Sequence, residues 1–288
     1  MLIQVIISGL VTGSLYALIA MGMVMIYKST EVVNFAHGDL VMIGAYFGLF
    51  FYTYVRLPLP LAFVSAIFLA GIFGVLIERI AFRPLIKAPV FSAIIATLAV
   101  GTIFRELIRI IFTPNPKIFP FAFSTKPLPL EWFMITPYHI AILTVSLVVM
   151  GLLFSFFRYT RYGKAMRATS ENQYASGLMG INVERIFGAT WGIGSILAAL
   201  AGLLLGPMII VQPYMGIVAI KAFVGAILGG FTSIPGSIIG GLLLGVIENM
   251  AGAYISSAWK DIVTFLVLIL VLIFKPTGLF PEYIQKKV

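Results

Sequence analysis

Apolar residues run along this chain in long stretches that are apolar on every side, and the polar positions collect between them. A helix that is hydrophobic all round is buried in a core or in lipid, and a bilayer core takes about 20 apolar residues per helix. The pattern predicts spans over 2–27, 32–54, 59–77, 138–157, 186–211 and 237–254. Three weaker stretches, 91–104, 217–231 and 262–274, are short or end in charges. They read as tilted, re-entrant or broken helices, which are tolerated only where protein or a water-filled cavity surrounds them. The expected fold is all-α: a polytopic transmembrane helix bundle of about nine spans.

Composition sharpens this reading. Only 10% of the 288 residues are charged and 61% are hydrophobic, whereas a soluble domain carries about 25% charged residues. Too little charge is present to cover a water-facing surface, so lipid must be the solvent for most of the chain. No soluble domain can be cut out. The expectation is a single transmembrane domain, 1–288, with halves of about 1–157 and 186–288 joined by the polar segment 158–185. The first apolar run has no basic n-region and continues to Tyr27 without a small-residue cleavage pattern, which reads as a retained helix rather than a signal peptide. Cysteine is absent, which excludes disulfides and thiolate metal sites.

The net charge of +9 would suggest nucleic acid in a soluble protein. In a membrane protein it marks cytoplasmic loops and meets anionic membrane lipid, so no nucleic-acid partner is expected. Twelve of the nineteen basic residues are Lys28; Arg79, Arg83 and Lys87; Arg158, Arg161, Lys164, Arg167 and Arg185; and Lys275, Lys286 and Lys287. Placing them on the cytoplasmic side puts the N-terminus outside and the C-terminus inside, which requires an odd number of crossings. The stretch 113–137 then lies outside, with Trp132 and Tyr138 at the outer interface. Gly13-Ser14-Leu15-Tyr16-Ala17 resembles Gly194-Ser195-Ile196-Leu197-Ala198. With this topology the two would run in opposite directions, as in an inverted repeat; chance likeness of Gly/Ser/Ala helices is the plainer alternative.

Glycines recur at four-residue spacing, as in Gly9/Gly13, Gly44/Gly48, Gly202/Gly206, Gly225/Gly229, Gly236/Gly240 and Gly241/Gly245. That spacing bares one helix face for close packing. Ser233-Ile234-Pro235-Gly236 interrupts the densest run, either beside a substrate path or as a plain turn.

Ionisable groups at membrane depth face a bundle interior or a water-filled cavity. Asn34, His37 and Asp39 sit at the start of an otherwise apolar helix. They could form a helix N-terminus capped by Asn34, line a translocation path or a seam with a partner, or bind a metal. The metal reading is the weakest, because the only other histidine is His139. Other charges at or near membrane depth are Glu78, Arg105, Glu106, Arg109, Lys221, Glu248 and Asp261. Arg105 and Arg109 share a helix face and are expected to snorkel to the outer interface. Lys221 and Glu248 lie deeper, where pairing would make either charge tolerable.

The segment 158–185 carries five basic residues and an apolar cluster at 175–181. It is long for a bare connection and reads as a short coupling helix that docks into a cleft on a separate motor protein. No G-x-x-x-x-G-K-[ST] phosphate loop occurs, so any ATP is bound by partner subunits and this chain carries no cofactor. Nothing in the residues calls for a hydrolase.

The first helix, G-x-x-x-G-S-L-Y-A-L-I-A-M-G, is followed by V-N-F-A-H-G-D-L, then G-K-A-M-R-A-T-S-E-N and A-S-G-L-M-G-I-N-V. Further on come K-A-F-V-G-A-I-L-G-G-F, I-P-G-S-I-I-G-G-L-L-L-G-V-I-E, W-K-D and P-T-G-L-F. In this order, from about Gly9 to Phe280, they resemble the shorter of the two permease types of high-affinity branched-chain amino acid ABC importers. The resemblance implies a non-enzymatic subunit of the prokaryotic plasma (inner) membrane, paired with a second permease. Two ATP-binding subunits would lie beneath, and an extracytoplasmic solute-binding protein would deliver leucine, isoleucine or valine. It implies ATPase coupling through Glu171, Ala175, Ser176, Gly177, Met179 and Gly180. It also implies a path or permease seam at Asn34, His37, Asp39, Lys221 and Glu248. Permeases for urea, short-chain amides and other amino acids share the architecture. An ion-coupled secondary transporter and an intramembrane enzyme are the alternatives from other classes.

Overall fold

The computed structural model describes residues 1–85, 88–119 and 135–281, apart from the Val90 side chain. Lys87, Trp132, Lys286 and Lys287 lie outside the described residues. Eleven α-helices follow in chain order: α1 (Leu2–Thr30), α2 (His37–Leu49), α3 (Leu59–Ile77), α4 (Val90–Phe112), α5 (Pro137–Tyr159), α6 (Arg161–Glu171), α7 (Gln173–Leu178), α8 (Val183–Leu205), α9 (Val218–Gly229), α10 (Ile234–Tyr254) and α11 (Trp259–Phe274). Among the described residues the only strand-like pairing is the bridge between Lys117 and Val211. Among the described residues five helices are long and apolar enough to cross a membrane: α1, α3 with its extension to Leu85, α5, α8 and α10. The chain is a multi-pass helical membrane protein.

Prolines and short polar residues set the helix limits. Proline at the start of a helix loses no intrahelical hydrogen bond, and α3, α4 and α10 all begin beside one. The α6, α7, α8 and α10 starts are capped by Thr160, Asn172, Asn182 and Ser233, whose side chains accept from Gly163, Ala175, Arg185 and Gly236 backbone N–H groups. Such a cap satisfies a donor that the helix itself leaves open.

Three spans differ from the hydropathy pattern. The second was expected from 32, but α2 begins at His37, because the Asn34 side chain accepts from the Ala36 N–H (3.0 Å) and holds the chain in a turn. The expected 186–211 helix stops at Leu205, just before Pro207, whose ring blocks the preceding turn. The weak stretch 91–104 is a full 23-residue helix. It continues through Arg105, Glu106 and Arg109 because these charges are paired: Arg109 with Glu106 at 3.0 Å and Arg105 with Asp39 at 3.0 Å.

The helices gather into two units, each assembled from separate stretches of chain. In one, α1 as far as Val24 packs with α9, α10 and α11. Gly9 and Gly13 meet the α10 backbone so closely that a Cβ on Gly13 would lie 2.8 Å from the Leu242 Cα. The chain between α9 and α10 is a tight turn, Gly230–Ser233, closed by the Ser233 N–H donating to the Gly230 carbonyl (2.9 Å), and Ile234, Pro235 and Gly236 form the first turn of α10. The Leu279 and Phe280 N–H groups donate to the Leu228 and Gly229 carbonyls (2.9 and 2.8 Å), which the end of α9 leaves open.

In the other unit, α8 packs against α2 and α3. Close approach again depends on missing side chains: a Cβ on Gly44 would lie 2.6 Å from the Ala199 Cβ, and one on Gly74 2.6 Å from the Trp191 carbonyl. The glycine spacing is therefore used for packing in both units.

Candidate functional site

In the first unit a buried carboxylate organises the polar groups. Glu248 projects from α10 and is 4% exposed. Lys221 on α9 places its Nζ 2.7 Å from Glu248 Oε1 and 2.6 Å from Asp261 Oδ1 on α11. The Tyr16 hydroxyl on α1 donates to Glu248 Oε2 at 2.7 Å. The glycine contacts bring α1 and α10 together, and this packing allows Tyr16 to reach across. Nearby, the Asn249 amide donates to Thr12 Oγ1 (3.3 Å) and to the Gly245 carbonyl. Lys221 and Glu248 thus pair directly. The contacts of Tyr16 with Glu248 and of Lys221 with Asp261 were not visible in the sequence, because a tyrosine in an apolar run and a charge at a helix start carry no signal of their partners.

In the second unit the residues around the start of α2 are drawn together. Asn34 and Asp39 are buried and His37, the first residue of α2, is fully so. Arg105 reaches from α4 and places Nε 3.0 Å from Asp39 Oδ1. Gly101, one turn before it, leaves the space that the Asp39 carboxylate fills, since a Cβ there would overlap Oδ2. The Phe35 N–H donates to Thr97 Oγ1 (3.3 Å), tying the preceding loop to α4. Gly216 lies on the Gly38 carbonyl in the short 3-10 turn Met215–Ile217. Arg105 is therefore not the interface snorkeller its spacing suggested. Its head turns inward because Asp39, in the first turn of a neighbouring helix, needs a counter-charge. Among the described residues no three His, Asp or Glu side chains converge as a metal site would need.

The segment 158–185, also in the second unit, forms two helices rather than one. The α7 end closes with the Ile181 N–H donating to the Ser176 carbonyl and the Gly180 N–H to the Gly177 carbonyl (both 3.0 Å), with Gly180 at φ +82°. This left-handed cap is strained for any side chain. Glu171, Ala175, Gly177, Met179 and Gly180 are exposed, as are the neighbouring Tyr174 and Leu178, whereas Ser176 is buried. Gln173 anchors α7: its Nε2 donates to the Ser29 carbonyl at 3.1 Å, and the Ser29 and Thr190 hydroxyls share a hydrogen bond of 3.2 Å. Tyr174, Leu178 and Met179 form an apolar rim on an otherwise polar segment, and burial adds to the apolar cluster seen in the sequence that these three stay exposed.

Residues 5–272 match the protein family described as branched-chain amino acid transport system / permease component. The chain is 36% identical, over 296 residues, to the high-affinity branched-chain amino acid transport system permease protein LivH of Salmonella typhimurium, covering 96% of this chain and 94% of that protein. It is 36% identical over 293 residues to the corresponding permease protein BraD of Pseudomonas aeruginosa, covering 96% and 95%. A probable branched-chain amino acid transport permease protein LivH of Methanocaldococcus jannaschii is 30% identical over 290 residues, covering 94% and 90%.

Proposed function

The chain belongs to the branched-chain amino acid transport system permease family, and from that we propose that it is one permease subunit of an ABC importer for leucine, isoleucine and valine. The observation that carries this reading is the match along nearly the whole length to permeases whose names specify that cargo. A second permease completes the path, two ATP-binding subunits drive it, and an extracytoplasmic binding protein loads it. The N-terminus faces outward and the C-terminus faces the cytoplasm of a prokaryotic cell. The halves either side of 158–185 act as inverted counterparts, with Gly13–Ala17 and Gly194–Ala198 as equivalent stretches.

The segment 158–185 receives the force of ATP binding. Exposed Glu171, Ala175, Gly177, Met179 and Gly180 meet the ATPase, with the rim of Tyr174, Leu178 and Met179 filling its cleft. Ser176 seats α7 on the bundle. Exposed aromatic and aliphatic groups on a polar segment suit burial by a partner. Asn34, His37, Asp39, Lys221 and Glu248 line the path or the permease seam, where polar groups inside apolar helices are tolerable. The two access states are biased in turn by ATP and by the docked binding protein.

The test is uptake in a strain lacking this chain. Radiolabelled leucine import is expected to be lost and to return with the wild-type chain but not with Tyr174→Glu/Met179→Glu. The chain has no cysteine, so Ala175→Cys is a unique thiol. An impermeant maleimide should label it in inside-out vesicles only. Leucine uptake that persists in the deletion strain would overturn the cargo, and labelling of intact cells would overturn the orientation.

A further inference from the structure

Beneath α7 lies a cavity of about 170 Å³, contained within the second unit. One water occupies roughly 10–15 Å³ measured this way, so the space suits a small molecule. Its walls come from the end of α1 and the residues after it, the start of α4, the extension of α3, α8, and Gln173 of α7. Three features give it a chemical preference.

Two of the described lining residues are carboxylates. Glu31 and Glu78 line the cavity and no lysine or arginine does so among the described lining residues. Glu78 is 1% exposed and held by Arg83, whose Nε and Nη2 lie 3.1 and 2.8 Å from its two oxygens. Glu31 has no ion pair among the described residues. It is left to face a cation at the rim.

The second feature is a donor without an acceptor. The Trp191 ring is 1% exposed, stacked on Phe82 with centroids 4.4 Å apart, and among the described residues its Nε1 has no hydrogen-bond partner. A buried N–H left unmade is costly, and this one belongs to a wall of the cavity. The third feature is apolar: Val32, Leu85 and Phe187 are also among the lining residues, and the aromatic faces favour a cation.

We propose that this cavity is a binding site for a small free amino acid with an apolar side chain, taken up from the cytoplasmic face. Its ammonium lies toward Glu31 and Glu78, its carboxylate accepts from Trp191 Nε1, and its side chain lies against Val32 and Phe187. Gln173 is both a wall of the site and the anchor of α7 to the Ser29 carbonyl. A ligand here braces the segment that receives the motor. The site therefore reads the internal concentration of product and slows import when it is filled. The choice of a branched-chain amino acid, and of the cytoplasmic side, rests on the reading under Proposed function; the site itself rests on the cavity.

Two measurements separate the site from that reading. Equilibrium binding of radiolabelled leucine to the purified full chain is expected to be saturable. It should be lost in Trp191→Phe, which keeps an aromatic ring without the N–H, and in Ala88→Leu, which fills the cavity from its rim. Absence of binding in the wild type, or unchanged binding in both variants, overturns the site. In vesicles holding the assembled transporter, leucine on the cytoplasmic face is expected to slow import roughly fivefold or more, a typical allosteric coupling. Ala88→Leu should abolish that inhibition while leaving import without cytoplasmic leucine unchanged. Inhibition that persists in Ala88→Leu overturns the regulatory role. Variant-sensitive leucine binding by a transporter that does not import leucine would refute the cargo assignment and leave the site standing.

Discussion

Each unit buries an acid among apolar helices, and the two acids are neutralised differently. Glu248 shares Lys221 with Asp261 and also accepts from Tyr16, so the cluster holds two carboxylates around one cation. Asp39 has Arg105 alone as its ion-pair partner among the described residues, in a niche shaped by Gly101. Asp39 lies in the first turn of α2, where the positive end of the helix dipole also favours it. Glu248 lies inside α10, far from such help. A mid-helix carboxylate depends on its cation more than one at a helix start does, and this ranks the consequences of removing each partner.

The largest effect is expected from Lys221→Met. It strands Glu248, whose side chain is 5% exposed, and breaking a buried pair from one side costs ~3–5 kcal/mol. Thermal unfolding of the purified protein should show the loss, and adding Glu248→Gln should restore most of it because both charges are then gone. A single variant as stable as the parent would mean that the pair is not what makes these charges tolerable.

Arg105→Met should come second, at ~1–3 kcal/mol for an acid that keeps other stabilisation. The Arg105 side chain is already 35% exposed, and the α2 dipole remains. If this variant proves as damaging as Lys221→Met, the helix-start argument fails. The smallest effect is expected for Asp261→Asn. Its side chain is 68% exposed, and exposed pairs contribute about 0.2–1 kcal/mol. A larger fall in melting temperature would show that both carboxylates, not Glu248 alone, hold Lys221 in place.

Much of the frame was legible from apolar runs. Each of the nine predicted stretches is occupied by a helix, because a long, mostly apolar segment in lipid can satisfy its backbone within itself as a helix. The limits were less legible. Asn34 marks a turn before α2 rather than the cap of its first residues, and the charges within α4 end no helix because they find partners. The 158–185 segment was recognisable by its basic residues and length, but not its division at Asn172 or the inward turn of Ser176.

By itself the sequence determined the solvent, the helical class and the family, since these follow from composition, run length and motif order along the chain. It also placed Lys221 and Glu248 as residues that need partners. Only the tertiary structure decided which partners they have, that Arg105 turns toward Asp39, and that Glu31, Glu78, Gln173 and Trp191 surround one cavity. The physical reason is that a buried charge or donor fixes the need for a counterpart, while helix packing decides which distant residue can supply it.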